Sequence, residues 1–197
     1  PGLGYGGSCF PKDVLAVVSM GLKSEVPTQL LTSVHQVNQR QRQTFITKIE
    51  NHFRGLGENP GLSGKKIAVW GIAFKPGTDD VREAPSITIM QHVLAAGATV
   101  TAYDPVAEET CREMVGDTVS YVKDPMDALN GADALIVCTE WDEFRHPDFE
   151  AIKSRMAHPV VFDGRNIWKR DVAKEFGLVY HSIGREPVLG EQACLWQ

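Results

Sequence analysis

The chain has 197 residues, of which 43% are hydrophobic and 23% are charged, and its formal net charge is -5. This composition is typical of a folded globular protein and argues against a disordered or fibrous one. Because the balance is acidic and no long run of Lys or Arg occurs, nucleic acid and an anionic membrane are not expected as partners.

A glycine-rich loop at residues 1–9 is followed by apolar residues at helical spacing, with Pro11 near the first helical position. A second helix is predicted to begin after Thr28 and to continue to about Arg54, a length of roughly 40 Å. Its apolar stripe has one gap, at Gln41. The stripe consists of Leu30, Val34, Val37, Phe45, Ile49 and Phe53. Because a small domain cannot cover so long a helix, we expect a spine between domains or a subunit contact.

Residues 55–64 are dense in Gly, Pro and Asn, which predicts a helix end and a linker. From Lys65 onward, short apolar runs alternate with helical segments, which predicts a parallel sheet with helices on both faces. Strands are predicted near 66–72, 99–103, 133–138, 159–162 and 178–180, and helices near 84–96, 106–115, 124–130, 148–156 and 168–176. We therefore expect an α/β protein, in which a helical N-terminal segment with a long spine helix (1–60) precedes a Rossmann-like parallel-sheet domain (61–197).

The four cysteines are far apart and show neither CxxC nor Cys/His spacing, so we expect reduced thiols, no metal site and no disulfide framework. Cys111, Cys138 and Cys194 are expected to be inert. The reduced thiols predict a cytoplasmic protein. No apolar run near 18 residues and no signal-like leader occur, so we expect neither a transmembrane helix nor a signal peptide. Because the chain opens on Pro1 inside a glycine-rich loop, we expect it to be part of a longer polypeptide.

The first chemical candidate is Cys9, which stands between a glycine-rich stretch and a predicted helix start. Glycines let a backbone approach a ligand closely, and free N–H groups at a helix N-terminus favour a thiolate over a thiol. Lys12 adds a nearby cation, and Asp13 lies one turn along the helix, where it can orient or deprotonate a water. The alternative is a buried structural cysteine, with Asp13 as a capping residue.

A second candidate is the loop after the first predicted strand, residues 71–86. Ligands bind at the carboxyl edge of such a sheet, near helix N-termini that suit phosphate. Lys75 and Arg82 supply cations for a pyrophosphate, and Arg165 also follows a predicted strand. The loop lacks GxGxxG, so a sugar nucleotide fits it better than NAD, and Asp104 is given no ribose-binding role. The alternatives are ion pairs, of Lys75 and Arg82 with Asp79 or Asp80, and of Arg165 with Asp163.

The string GYGGSCFPKD at residues 4–13 resembles the catalytic-cysteine signature of the UDP-glucose/GDP-mannose dehydrogenase family. The string GIAFKPGTDDVREAPS at 71–86 resembles the C-terminal domain of that family, and with the Asp-Gly-Arg at 163–165 the resemblance covers nearly the whole chain. The Ser-Cys-Phe form and the Phe-Lys-Pro-Gly-Thr-Asp-Asp run look like the UDP-glucose enzymes. The UDP-N-acetylhexosamine enzymes usually carry His before the cysteine, and they fit less well because this chain has Ser8.

The resemblance implies oxidation of UDP-glucose to UDP-glucuronate by two hydride transfers to NAD. Cys9 would form a thiohemiacetal and then a thioester, and Asp13 would assist the water that releases the acid. The implied substrate contacts are Pro1, Gly2, Leu3, Gly4, Tyr5, Gly6, Phe74, Lys75 and Arg165. The implied NAD contacts are Cys9, Phe10, Pro11, Lys12 and Arg82.

The resemblance further implies an NAD-binding domain with GxGxxG, together with a catalytic lysine and asparagine, upstream of Pro1. We therefore expect this chain to be inactive by itself and to form a homodimer through the helix at 28–54. Two alternatives remain open. In the first, the complete enzyme acts on GDP-mannose instead of UDP-glucose. In the second, the chain is only a module that binds a nucleotide sugar or dimerises.

Overall fold

The structure is a computed structural model and describes residues 2–54 and 61–190. Two helices come first, α1 (Phe10–Lys23) and α2 (Gln29–Arg54). Both predicted helices are confirmed, and α2, with 26 residues, begins and ends where its apolar stripe predicts. The first six residues of the predicted linker, 55–60, lie outside this description.

Six parallel strands form one sheet in the order β3-β2-β1-β4-β5-β6. The strands are β1 (Lys66–Trp70), β2 (Thr99–Tyr103), β3 (Ser120–Tyr121), β4 (Ala134–Val137), β5 (Val160–Asp163) and β6 (Val179–Ser182). The connecting helices are α3 (Pro85–Ala95), α4 (Glu108–Val115), α5 (Phe149–Arg155) and α6 (Arg170–Glu175). The strand order reverses between β1 and β4, so the predicted α/β fold with a Rossmann-like parallel sheet is confirmed.

Two segments of the sheet region differ from the prediction. The strand β3 was missed because two residues at the sheet edge are too few to give an apolar pattern. The predicted helix near 124–130 is wrong, since only a 3-10 turn, Asp127–Leu129, forms there. The Asp124 carboxylate accepts a hydrogen bond from the Met126 N–H, and such local bonding favours a turn over a helix.

The core lies on both faces of the sheet. On one face the rings of Trp70 and Phe144 are stacked, with centroids 5.1 Å apart. On the other face α2 contributes Phe45 and Phe53, whose ring centroids lie 6.5 Å and 6.3 Å from that of Phe162 in β5. The second half of α2 therefore shares a core with the sheet, and the proposed domain division at residue 60 stays a prediction.

The first half of α2 is not covered in this way. Leu30, Val34 and Val37 continue the apolar stripe, but they are 77%, 38% and 56% exposed. We call these three residues the apolar wall. In α1, Met20 and Leu22 are also exposed. The stripe thus predicts the helix along its whole length, while only its second half finds partners within the described residues.

Candidate functional site

The candidate site lies at the carboxyl edge of the sheet, where β1 ends at Trp70 and β5 ends at Asp163. Gly71 follows β1 with a φ of 86°, and its N–H donates to the Tyr103 carbonyl at 2.8 Å. A Cβ at this position would lie 2.5 Å from Cβ of Thr139. Glycine is therefore required for the chain to leave β1 so close to the end of β4.

An open cleft of about 950 Å³ lies between the glycine-rich loop, the sheet edge and the first half of α2. Six of the predicted substrate residues are on its lining: Gly2, Gly4, Tyr5, Gly6, Phe74 and Arg165. The lining combines a cation, Arg165, with the apolar wall and the backbone of the loop. Three stretches that are far apart in the sequence therefore meet around one space.

Arg165 is held by an acidic residue that the sequence reasoning missed. Its backbone N–H donates to Asp163 at 2.8 Å, but its guanidinium pairs with Glu140, with Nη2–Oε1 and Nε–Oε2 distances both 2.5 Å. The alternative, a turn residue paired with Asp163, is met only by the backbone of Arg165, because the Asp163 carboxylate is buried and also accepts from the Tyr180 hydroxyl at 2.6 Å. Glu140 follows β4, and the rule that placed Arg165 at a strand end could have found it too.

Phe74 joins the loop to the sheet edge. Gly7 packs directly on its ring, since a Cβ on Gly7 would lie 2.8 Å from the ring carbons. Lys75 is exposed at the rim, with Nζ 5.5 Å from the Phe74 centroid, and it is not on the cleft lining. Leu3 is not on the cleft lining, because its side chain is fully buried against Gly164, so its predicted substrate contact could come only from its backbone. Pro1 lies outside the described residues.

Arg82 forms an ion pair with Asp80, as the alternative interpretation expected. Nε and Nη2 of Arg82 each lie 2.9 Å from a carboxylate oxygen of Asp80. These hydrogen bonds lower the pKa of Asp80 to about 2. The Arg82 side chain is 65% exposed and also interacts electrostatically with Cys9. The guanidinium is thus paired with Asp80 and remains largely exposed.

Cys9 is the N-cap residue of α1 and is exposed, so the alternative of a buried structural cysteine is wrong. Its Sγ lies 3.7 Å from Oγ of Ser8, and its carbonyl accepts the Asp13 N–H at 2.9 Å. Lys12 and Asp13 are exposed, whereas Pro11 is buried. Cys9 is not on the cleft lining, but the next residue, Phe10, is. Gly7, two residues before Cys9, donates its N–H to the Arg82 carbonyl at 2.9 Å, so the loop that carries the thiol runs beside the cleft next to Arg82.

The dinucleotide-binding position at the end of β2 is filled by the protein itself. The Asp104 carboxylate accepts hydrogen bonds from four backbone N–H groups and from the Trp141 indole. The letters of residues 2–7 match GxGxxG, but Gly4 and Gly6 approach Asn38 and the Glu83 carbonyl. Neither feature offers a pyrophosphate or ribose site, so the sheet itself does not fit NAD.

The remaining titratable candidates have structural surroundings. Burial raises the pKa of Cys138 to about 12 and also raises that of Cys111, as expected for inert thiols, and Cys194 lies outside the described residues. His52 and His181 share a hydrogen bond of 3.1 Å between α2 and β6. Within residues 2–54 and 61–190, no group of three His, Cys, Asp or Glu side chains could hold a metal ion. No helix in these ranges is long and apolar enough to cross a membrane.

Comparison with known proteins agrees with this geometry. Residues 68–170 match the UDP binding domain of the UDP-glucose/GDP-mannose dehydrogenase family, and residues 1–40 match its central domain. A UDP-glucose 6-dehydrogenase of Pseudomonas aeruginosa is 40% identical over 189 residues, which are 93% of this chain and 41% of the relative.

Two solved structures are similar. A UDP-glucose dehydrogenase from Pyrobaculum islandicum is 36% identical with a TM-score of 0.73, over 84% of this chain and 35% of that one. A UDP-D-ManNAc dehydrogenase from Pyrococcus horikoshii is 28% identical with a TM-score of 0.77, over 94% and 40%. The chain thus spans about 41% of the length of the curated relatives. It belongs to the UDP-glucose/GDP-mannose dehydrogenase family of oxidoreductases.

Proposed function

We propose that this chain is the central and nucleotide-sugar-binding part of an NAD-dependent UDP-glucose 6-dehydrogenase. The observation that carries the proposal is the meeting of the glycine-rich loop, Phe74 and Arg165 around one cleft, with Cys9 at the start of the adjoining helix. The P. aeruginosa relative is a UDP-glucose 6-dehydrogenase, and it is similar over 93% of this chain. This agreement supports UDP-glucose over GDP-mannose as the substrate.

In this proposal Arg165 binds the diphosphate. A guanidinium can donate to two phosphate oxygens at once, and here its direction is already set by Glu140. The diphosphate would bind the Arg165 guanidinium either together with the Glu140 carboxylate or in its place. Phe74 and the backbone of Gly2 to Gly6 would enclose the rest of the ligand, and Lys75 would add a cation at the rim.

The proposed chemistry depends on Cys9. Its thiol adds to the C6 aldehyde carbon and its proton passes to the carbonyl oxygen, which gives a thiohemiacetal. NAD, when bound, supplies the acceptor for the hydride of each oxidation. Its proposed contacts are Cys9, Phe10, Pro11, Lys12 and Arg82. After the thioester has formed, a water assisted by Asp13 releases the carboxylate and restores the thiol.

The chain by itself is proposed to bind the nucleotide sugar without oxidising it, because its sheet does not fit NAD. We propose that the homodimer expected through 28–54 uses only the first half of α2. Phe45 and Phe53 pack on the sheet and cannot also meet a second copy. The apolar wall is exposed and borders the cleft, so a second copy is proposed to cover this part of α2 at the edge of the cleft.

A calorimetric titration of the chain with UDP tests the nucleotide-sugar site. Arg165→Ala is expected to weaken binding by about 10- to 100-fold, because a hydrogen bond to a charged group contributes roughly 1.5–3 kcal/mol. Lys75→Ala at the rim is expected to have a smaller effect. Arg170→Ala, in α6 and also exposed, is the matched control and should bind as the wild type does.

Unchanged UDP affinity in both Arg165→Ala and Lys75→Ala would contradict the nucleotide-sugar site. Parallel titrations with UDP-glucose and GDP-mannose distinguish the two substrates. Tighter binding of GDP-mannose would favour the GDP-mannose alternative. No binding of either would leave only the dimerisation module.

A further inference from the structure

The polar residue Asn38 stands out in the first half of α2. Its neighbours Val34 and Val37 are exposed, yet Asn38 is only 8% exposed. Its Oδ1 accepts a hydrogen bond from the Tyr5 N–H at 2.7 Å, and its Nδ2 donates to the Tyr5 carbonyl at 3.0 Å. A side chain that bonds both polar groups of one residue fixes the position and the orientation of that residue.

The glycines of the loop make this approach possible. Gly4 has a φ of 99°, and a Cβ there would lie 2.4 Å from Oδ1 of Asn38. A Cβ on Gly6 would lie 2.3 Å from the Glu83 carbonyl oxygen. The loop therefore needs glycine on both sides of Tyr5, and the close partners are protein groups that hold the loop.

Arg42, one turn after Asn38, connects the loop to the segment that carries Arg82. Its Nη2 donates to the carbonyls of Tyr5 and Glu83, each at 2.9 Å, and its side chain is 11% exposed. The Gly7 N–H also donates to the Arg82 carbonyl at 2.9 Å. Burial lowers the pKa of Arg42, and the charge of Glu83 opposes this shift. One largely covered guanidinium thus holds two loops together.

We propose that Asn38 and Arg42 are positioning residues that fix the loop between Tyr5 and Cys9 and so place the thiol beside Arg82. Tyr5 is held by α2, and Asp13 N–H fixes the Cys9 carbonyl in the first turn of α1. Asn38 and Arg42 bind Tyr5 and Glu83 and do not contact the thiol itself. The meaning of this placement for catalysis rests on the proposed function, whereas the placement itself is tested without any nucleotide.

The test measures the motion of a nitroxide label on Cys9 by electron paramagnetic resonance. Cys111 and Cys138 are buried, and Cys194→Ser removes the remaining thiol. In a separate chain in which Cys9→Ser also removes the first thiol, a label on Lys169→Cys, an exposed position next to α6, reports general loosening. Asn38→Ala removes both bonds to Tyr5. Arg42→Lys keeps the charge but loses the planar fork that reaches two carbonyls.

Asn38→Ala and Arg42→Lys are each expected to shorten the correlation time of the Cys9 label by about threefold and to leave the label at position 169 unchanged. Asn51→Ala and Arg40→Lys make the same changes at exposed positions of α2 and should move neither label. Gly4→Ala disturbs the same contact from the loop side, so its effect and that of Asn38→Ala should be less than additive.

The proposal is overturned if the Cys9 label stays as slow as in the wild type in both variants. It is equally overturned if both labels loosen together, because Asn38 and Arg42 would then act only on stability. Failure of the chain to bind UDP would contradict the proposed function but would not change either label result, so the two failures are distinguishable.

Discussion

The two halves of α2 have the same apolar spacing and opposite surroundings. Phe45 and Ile49 are 1% and 0% exposed, whereas Leu30 and Val37 are 77% and 56% exposed. The second half packs on the sheet, and Lys48 Nζ also donates to the Ser182 carbonyl at 2.5 Å. A periodic stripe therefore shows which face of a helix needs a partner, but it does not show whether that partner lies in the same chain.

The largest expected effect is on the stability of the buried half. Ile49→Ala is expected to lower the free energy of unfolding by about 2–5 kcal/mol, since it removes a fully buried side chain and leaves a cavity. Leu30→Ala is the matched control and should change it by less than about 0.5 kcal/mol. Urea denaturation of the dilute chain measures both. Equal losses would mean that the two halves are covered alike.

The next effect is on association through the exposed half. Leu30→Glu puts a charge into the apolar wall, so the proposed dimer should weaken by about 100-fold or more. Thr44→Glu, at an exposed position of the same helix, is the control and should leave the dissociation constant unchanged. Sedimentation over a range of concentrations measures it. A wild-type chain that stays monomeric throughout would rule out the homodimer.

The smallest expected effect is the pH dependence of the buried half. Burial lowers the pKa of His181 from 6.5 to about 3 and lowers that of His52, and the charge of Lys48 adds to the shift of His181. Below pH 6.5 the unfolded chain binds protons that the folded chain does not bind. The free energy of unfolding should therefore fall as the pH falls through this range, down to about 3.

Between pH 7 and pH 5.5, His181 is expected to contribute roughly 1 kcal/mol to the fall in the free energy of unfolding. Urea denaturation at the two pH values measures this fall. His181→Gln cannot titrate, so the loss of stability over this interval should shrink. His146→Gln, at an exposed position, should keep the wild-type slope. An unchanged slope in His181→Gln would show that the contact between α2 and β6 does not sense pH.

Sequence periodicity was sufficient for most of the fold, because the helices α1 and α2 and the buried strands carry long or fully apolar patterns. It failed where local bonding decides the conformation, as at Asp124, and where a strand is too short to show a pattern. In the site, the rule for strand ends placed Arg165 correctly. The same rule applies to its partner Glu140, which follows β4, but the pairing of the two side chains leaves no periodic signal.

The gap in the apolar stripe of α2 at Gln41 coincides with the contacts between this helix and the glycine-rich loop. Gln41 Nε2 donates to the Gly2 carbonyl at 2.8 Å, and Asn38 and Arg42 bind Tyr5. Polar residues interrupt an apolar stripe where a helix meets a backbone, because carbonyl and N–H groups need partners when they are buried. Such a gap predicts a backbone contact, although it cannot say which segment makes it.

The way Asp104 is used limits how this sheet could be redesigned. Its carboxylate closes the turn after β2 and also binds the N–H groups of Ile72 and Ala73, where β1 leaves the sheet. A dinucleotide site would need both that carboxylate and those amides free for the ligand. Adding glycines to the loop alone would therefore not create an NAD site, and removing Asp104 would leave buried donors unpaired before any ligand arrived.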